Sequence, residues 1–266
     1  MPSIRAEGGG APGVVPPDDE TPARTAPSAR SRRWLALVLA AGILVLAAVI
    51  VLVVAIRQHR PPPTPERPSG VPSSVSTSLA DMMGLSPVPV RSAPGFTLTD
   101  QHGQLLAMSA FSGKVVVLEF MDSHCTDICP LVSAEFVAAY HDLGPLAGKV
   151  VFAAVNVNPY HATVRDVALF SDEHQLTSIP DWHFFTGPLA SLQAVWRGYG
   201  IEVEARGPNI DVVHTSSVYF IDPHGRERYL AAPMADYTAA GAAYLPPGQI
   251  AAWGRGIALV AKSLAA

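Results

Sequence analysis

The longest apolar run of the chain lies near its N-terminus, at residues 34–56, and contains neither a charged residue nor a proline. As a helix, this run would be about 35 Å long, enough to cross the roughly 30 Å hydrocarbon core of a bilayer. A buried core helix of that length would normally show a polar face, and the apolar part of a signal peptide is shorter. The pattern therefore predicts one transmembrane helix over residues 34–56.

Beyond this span the apolar runs are short and fall into two kinds. Runs at 114–121 and 150–157 are continuous and rich in β-branched residues, as in buried strands. Other segments repeat apolar residues on one helical face. Further strands are predicted around a glycine turn at 96–108 and at 182–185, 214–221 and 226–230, and helices from Pro130, at 163–174, from Pro188 and at 249–264.

This alternation of strands and helices predicts an α/β fold with a mostly parallel central sheet, closed by an antiparallel hairpin at its edge. The arrangement is thioredoxin-like: a central mixed sheet flanked by helices, here preceded by one transmembrane helix. It occupies residues 92–266, which are enough for a single core.

Composition separates the remaining segments. Residues 1–33 are rich in Pro, Gly, Ala and Arg and are predicted to be a disordered cytoplasmic tail. Residues 57–91 carry a proline-rich part and then a serine-rich part, which predicts a stalk between membrane and domain. The net charge is −4 and no basic block exceeds Arg32-Arg33, so nucleic acid is not expected as a partner. Arginines slightly favour the N-terminal side of the span, which predicts a cytoplasmic N-terminus.

The only two cysteines of the chain, Cys125 and Cys129, lie between a predicted buried strand and a predicted helix. The free N–H groups and the dipole of a helix N-terminus favour thiolates, which bind metals or attack disulfides. Four residues apart on a helix, the two sulfurs can reach one ion, and they can also close a disulfide. A purely structural disulfide is disfavoured because so short a loop constrains little of the unfolded chain.

A third ligand would have to come from one of nine histidines. His214 differs from the others because it opens an apolar strand late in the chain. A histidine at the end of a strand can be a ligand or a surface residue, and the pattern leaves both open. Met234 is a further candidate for a soft ligand, although a packing or surface methionine is the commoner case.

Two segments resemble the signatures of one family. The run GKVVVLEFMDSHCTDICP is similar to the strand and Cys-x-x-x-Cys-Pro motif of the SCO/SenC proteins, and VVHTSSVYFIDPHGR is similar to their second motif. The resemblance covers about residues 92–230. It implies a thioredoxin-like domain on the outer side of a cell membrane, anchored by one helix, in which Cys125, Cys129 and His214 bind Cu(I) or Cu(II).

The resemblance also implies a partner: the cytochrome c oxidase subunit with the binuclear copper centre, to which the protein delivers copper or whose thiols it reduces. Another copper or thiol client is the alternative. Two thiolates and one imidazole suit copper, and they can also hold zinc. The protein is expected to be a metal-transfer protein rather than an enzyme, with a thiol–disulfide oxidoreductase using Cys125 and Cys129 as the competing hypothesis. A peroxidase is disfavoured because no arginine and threonine motif surrounds Cys125.

The chain departs from the family pattern at two positions near this site. Thr126 stands where the family often has proline, and Asn158 stands where it often has aspartate. Both changes leave the predicted ligands intact. They are expected to alter the hydrogen bonds around the ligands, and with them the metal affinity and the choice of client.

Overall fold

A computed structural model describes residues 29–58 and 69–266, which belong to two separate units, 1–63 and 64–266. Most of the predicted tail, 1–28, and part of the predicted stalk, 59–68, lie outside the described residues. The first unit contains helix α1 (Ala29–Gln58). Its stretch Leu37–Ala55 has a mean hydropathy of 3.3 and exposes its apolar side chains. Within the described ranges it is the one helix long and apolar enough to cross a membrane, so it could serve as an anchor.

Over residues 69–266, the second unit contains five α-helices and twelve strands. Its helices are α2 (Thr77–Met82), α3 (Ile128–Leu143), α4 (Val164–Glu173), α5 (Leu189–Tyr199) and α6 (Pro247–Ala265). Its strands are β1 (Ser86–Ser92), β2 (Thr97–Thr99), β3 (Leu105–Ala107), β4 (Val115–Met121), β5 (Val150–Asn156), β6 (Trp182–Phe185), β7 (Val203–Glu204), β8 (Val213–His214), β9 (Val218–Ile221), β10 (Arg226–Ala231), β11 (Asp236–Tyr237) and β12 (Ala243–Tyr244).

The main sheet has six strands in the order β1-β10-β9-β4-β5-β6. Strands β4, β5 and β6 are parallel, whereas β9, β10 and β1 continue the sheet in antiparallel pairs. Every residue of β4 and β5 is buried because apolar layers cover both faces of the sheet. Residues of α3, α4 and α6 form the core of one face, and α5 with the β2–β3 hairpin forms the other. The predicted α/β class with a mixed central sheet and flanking helices is confirmed.

Most predicted elements occur close to their expected positions. The strand Trp182–Phe185 and the helix that begins after Thr163 agree with the prediction, and Thr163 forms a reciprocal capping box with Asp166. The predicted closing hairpin, β9–β10, differs in position: β9 pairs directly with β4, and the edge of the sheet is β1.

The N-terminal boundary of the domain differs from the predicted residue 92. Strand β1 pairs with β10 through Ser86 and Leu230, although it lies in the segment 57–91 that was expected to be a stalk. Val75 and Met83 from the same segment are fully buried in the main core. These apolar residues are scattered among serines and prolines, which is why their contribution to the core is hard to see in the sequence.

The predicted strand 214–221 is divided in the structure. Val213 and His214 form β8 and pair with β7 in a separate two-stranded ribbon, whereas β9 in the main sheet begins at Val218. Between the two strands, the side chain of Glu119 accepts hydrogen bonds from Ser216 and Ser217. These bonds replace strand pairing, so His214 lies beside the main sheet rather than in it.

Candidate metal centre

Both cysteines lie where the predicted strand and helix meet. Strand β4 ends at Met121, a loop of six residues carries Cys125, and Cys129 lies in the first turn of α3. The sulfur of Cys125 accepts hydrogen bonds from the backbone N–H groups of Asp127, at 3.4 Å, and of Cys129, at 3.5 Å. It therefore takes the place of a capping oxygen at the N-terminus of this helix, since the side chain of Asp127 makes no capping bond.

The two thiols are free, buried and chemically unequal. The pKa of Cys125 is lowered, first by the hydrogen bond from the Cys129 side chain and then by the two backbone N–H donors. The pKa of Cys129 is raised well above its ordinary value, because its thiol donates that hydrogen bond and is fully buried. Cys125 is therefore the more readily ionised sulfur, and Cys129 keeps the proton of the pair.

The buried carboxylate of Asp122 connects three segments around the cysteines. One oxygen accepts bonds from the backbone of His124, at 2.7 Å, and from the side-chain amide of Asn158, at 2.7 Å. The other oxygen accepts a bond of 3.0 Å from the backbone of Val212, two residues before His214. Asp122 thus fixes the cysteine loop, the loop after β5 and the approach to His214 in one arrangement.

The loop after β5 is built around two buried amides. Asn156 accepts a bond from the backbone of Ser123, which lies in the cysteine loop, and donates to the carbonyl of His161. Asn158 accepts bonds from the backbone of Tyr160 and His161. The ring of His161 also stacks on His124, with 4.2 Å between the ring centres.

Thr126, the other departure from the family pattern, also has a defined role. Its backbone N–H and its hydroxyl both donate to one carboxylate oxygen of Asp211, at 3.2 and 3.0 Å. Proline at this position could make neither bond, since it has no N–H and no hydroxyl. The segment before His214 is therefore held to the cysteine loop by Asp211 as well as by Val212.

His214 is half-buried in the ribbon formed by β7 and β8. Its Nδ1 lies 3.0 Å from the carbonyl oxygen of Thr215, and because a carbonyl can only accept, Nδ1 carries the proton. The other nitrogen, Nε2, keeps its lone pair for a ligand. Burial lowers the pKa of this imidazole, which favours the neutral form that binds metals.

The structure brings Cys125 and Cys129 together, but it does not place His214 with them as a group of three ligands. Across residues 29–58 and 69–266, no cluster of three or more His, Cys, Asp or Glu side chains is arranged to hold a metal ion. The donor set itself fits a soft metal, because it offers one readily ionised sulfur, a second sulfur beside it and a neutral imidazole. Met234 is half exposed, at 51%, on the surface.

Sequence reasoning missed the polar residues that support this site. Asp122 and Asn156 are buried among apolar residues, and Asp211 lies in a loop far along the chain. In the sequence, only their positions mark two of them: Asp122 directly follows the buried strand β4, and Asn156 is the last residue of β5. Polar side chains at the carboxyl ends of parallel strands commonly surround a site.

Comparison with known proteins decides the family. The model of the SCO1/SenC family matches residues 88–242, more than half of the chain. The chain belongs to the SCO1/SenC family. This confirms the resemblance found in the two motifs, and the matched region includes both cysteines, His214 and strand β11.

Individual SCO1/SenC relatives are distant. The SCO1 protein homolog of Bacillus subtilis is 24% identical over 133 residues, which are 49% of this chain and 68% of that protein. The mitochondrial SCO2 homolog of Bos taurus is 27% identical over 136 residues, which are 49% of this chain and only 50% of the bovine protein.

Solved structures of SCO1/SenC proteins have a similar fold, also at low sequence identity to this chain. Bradyrhizobium japonicum ScoI with copper bound has a TM-score of 0.50 at 20% identity, covering 65% of this chain and 99% of that one. A SCO1/SenC family lipoprotein from Bacillus anthracis has a TM-score of 0.52 at 22% identity, covering 68% and 98%. These likenesses confirm the fold predicted from the order of strands and helices.

Proposed function

We propose that this protein binds copper through Cys125, Cys129 and His214 and passes it to a client at the outer face of a cell membrane. The observation that carries the proposal is the paired, unequal thiols at the start of α3, in a chain of the SCO1/SenC family. Two sulfurs and a neutral imidazole form a donor set that prefers Cu(I), and copper is the cargo rather than a permanent cofactor.

Two further parts of the proposal concern place and partner. Helix α1 anchors the chain, with the domain on the extracytoplasmic side, as the arginines before the span favour. The client is the copper-bearing subunit of cytochrome c oxidase, in keeping with the family resemblance, or another copper or thiol client. The relative from Bradyrhizobium japonicum, whose structure holds copper, supports the choice of metal.

The test is a titration of the reduced full-length protein in detergent with Cu(I), without oxygen and against a competing chelator. The wild type is expected to hold one copper per chain. His214→Ala should weaken binding, and Cys125→Ser with Cys129→Ser should abolish it, because each change removes a donor. His141→Ala, which changes an exposed histidine of α3, is the matched control. Binding that is equally weak in the wild type and in His214→Ala would contradict the proposed site.

A second function is favoured by the opposite pKa directions of the two cysteines. The Cys125 thiolate can attack a client disulfide, forming a mixed disulfide and releasing one client thiolate. Cys129, after losing its proton to solvent, then attacks the sulfur of Cys125 and releases the second client thiolate. The client is reduced to a dithiol, and this protein is oxidised to a disulfide. Such exchange should be lost with Cys125→Ser and unaffected by His214→Ala.

A further inference from the structure

The strand that leads to Cys125 is joined to the segment that follows His214 by one buried side chain. Glu119 lies on β4 and is 1% exposed. Its Oε1 accepts a bond of 3.0 Å from the hydroxyl of Ser216 and one of 3.1 Å from the backbone N–H of Ser217. These two residues form the break between β8 and β9, immediately after His214 and Thr215.

A second buried carboxyl group lies near the first, on the helix that carries Cys129. Glu135 of α3 is completely buried, and neither of its carboxyl oxygens has a hydrogen-bond partner in the structure. Oε2 of Glu119 is likewise buried and unpartnered. Burying two carboxyl groups with three unpartnered oxygens in an apolar layer costs free energy of folding, and the cost is smaller when both groups carry a proton.

The surroundings explain how this pair is tolerated. Burial raises the pKa of Glu119 to about 8 and that of Glu135 to about 9, the latter with a smaller contribution from Glu119. On β9, burial raises the pKa of Tyr219, and the charges of Glu227 and, to a smaller extent, Glu119 add to this rise. The buried residues of α6 and of β5 include no ionisable side chain. Burial therefore favours the protonated, uncharged form of both acids.

We propose that Glu119 is a positioning residue that fixes the segment after His214 onto the strand leading to Cys125 through its bonds to Ser216 and Ser217. Asp122 makes the complementary contact before His214, through the backbone of Val212. Glu119 on β4 and Asp122 just after it lie three residues apart. Glu119 binds the segment after His214, and Asp122 binds the segment before it. This inference rests on the proposed function only in giving His214 the role of a ligand.

A first experiment tests the positioning without metal. In the reduced, copper-free full-length protein, hydrogen exchange of the Ser217 amide and the NMR shifts of the His214 ring report the contact. Glu119→Ala is expected to accelerate exchange at Ser217 at least tenfold and to move the His214 signals, because the acceptor is lost. Glu119→Gln keeps an acceptor oxygen and a neutral side chain, so it should resemble the wild type. Glu173→Gln, an exposed change on α4, is the matched control.

A second variant, Ser216→Ala, tests the same contact in case Glu119→Ala does not fold. Ser216→Ala removes only the hydroxyl donor, so it should move the His214 ring signals in the same direction while the core stays intact. Unchanged Ser217 exchange and unchanged His214 signals in both Glu119→Ala and Ser216→Ala would overturn the proposal.

Copper loading separates this inference from the proposed function. In the Cu(II)-loaded protein, the nitrogen coupling in the electron paramagnetic resonance spectrum reports ligation by His214. Glu119→Ala should weaken that coupling, and Glu119→Gln should restore it. Absence of copper binding in the wild type would refute the proposed function, whereas the metal-free exchange at Ser217 would still decide whether Glu119 positions the segment.

Discussion

The side-chain amide of Asn158 donates a hydrogen bond of 2.7 Å to the buried carboxylate of Asp122. An aspartate at position 158, which the family often has, would place a second carboxylate against the first in this chain. The asparagine is therefore matched to Asp122, which in turn holds the loop of Cys125 and the approach to His214. In this chain, Asn158 thus contributes to the hydrogen bonds that surround Cys125 and the approach to His214.

Asn158→Asp is expected to destabilise the domain by about 1–3 kcal/mol at pH 7, since it removes a buried donor and sets two carboxylates against each other. Urea unfolding at pH 7 measures the effect. Asn209→Asp makes the same chemical change at an exposed position and should cost little. Equal losses in the two variants would contradict the role of Asp122.

Cys125 should react with iodoacetamide well before Cys129 in the reduced full-length protein. The pKa of Cys125 is lowered chiefly by the thiol of Cys129, whereas the pKa of Cys129 is raised. Mass spectrometry of the alkylated peptides measures the order. Cys129→Ala should shift the pH profile of Cys125 alkylation upwards by removing the donor, and Cys129→Ser should shift it less because a hydroxyl remains. Preferential labelling of Cys129 would contradict the prediction that Cys125 is the more readily ionised thiol.

The stability that Glu119 and Glu135 contribute should fall as the pH rises from about 5 towards 9. The pKa values of Glu119 and Glu135 rise from 4.5 to about 8 and about 9 on folding, so the folded state binds more protons than the unfolded state across this window. The contribution of these acids is complete below pH 4.5 and is lost as the pH passes through their folded values. For each group, the free energy of unfolding falls by at most roughly 1.4 kcal/mol per pH unit.

Glu119→Gln and Glu135→Gln should each flatten this pH dependence, because an amide does not titrate. Thermal or urea unfolding between pH 5 and 9 gives the slopes. Glu173→Gln should leave the slope of the wild type unchanged. A slope that persists in the double variant would assign the dependence to other groups.

Gly254→Ala is expected to loosen the packing of α6 on α3 and to cost about 1–3 kcal/mol or more. A Cβ atom at this position would lie 2.5 Å from Cβ of Ala138 and 2.9 Å from the backbone nitrogen of Ala139, which cannot move aside cheaply. Gly148→Ala is the control, since a Cβ there meets nothing within 4 Å. Denaturant unfolding compares the two, and a Gly254→Ala variant as stable as the control would show that the helices can separate at no cost.

The sequence predicts the parts of this molecule that depend on local pattern. The buried strands before Cys125 and before Asn158, and the helix after Cys129, follow from runs of apolar residues. The contacts that organise the site do not follow from pattern, because they join residues far apart along the chain. Asp122 contacts Val212 across 90 residues of sequence, and Glu119 contacts Ser216 across 97. For the same reason, the division of the strand after His214 could not be predicted.

Strand β1 closes one side of the sheet with the sequence Ser-Pro-Val-Pro-Val-Arg-Ser, and its pairing with β10 is irregular between Pro87 and Arg91. Pro87 and Pro89 offer no N–H group, and Arg91 places a charge on the rim. The two prolines therefore remove two of the N–H groups with which a strand of another chain could pair. Two prolines within the segment 57–91 thus interrupt the hydrogen-bonding edge of the sheet.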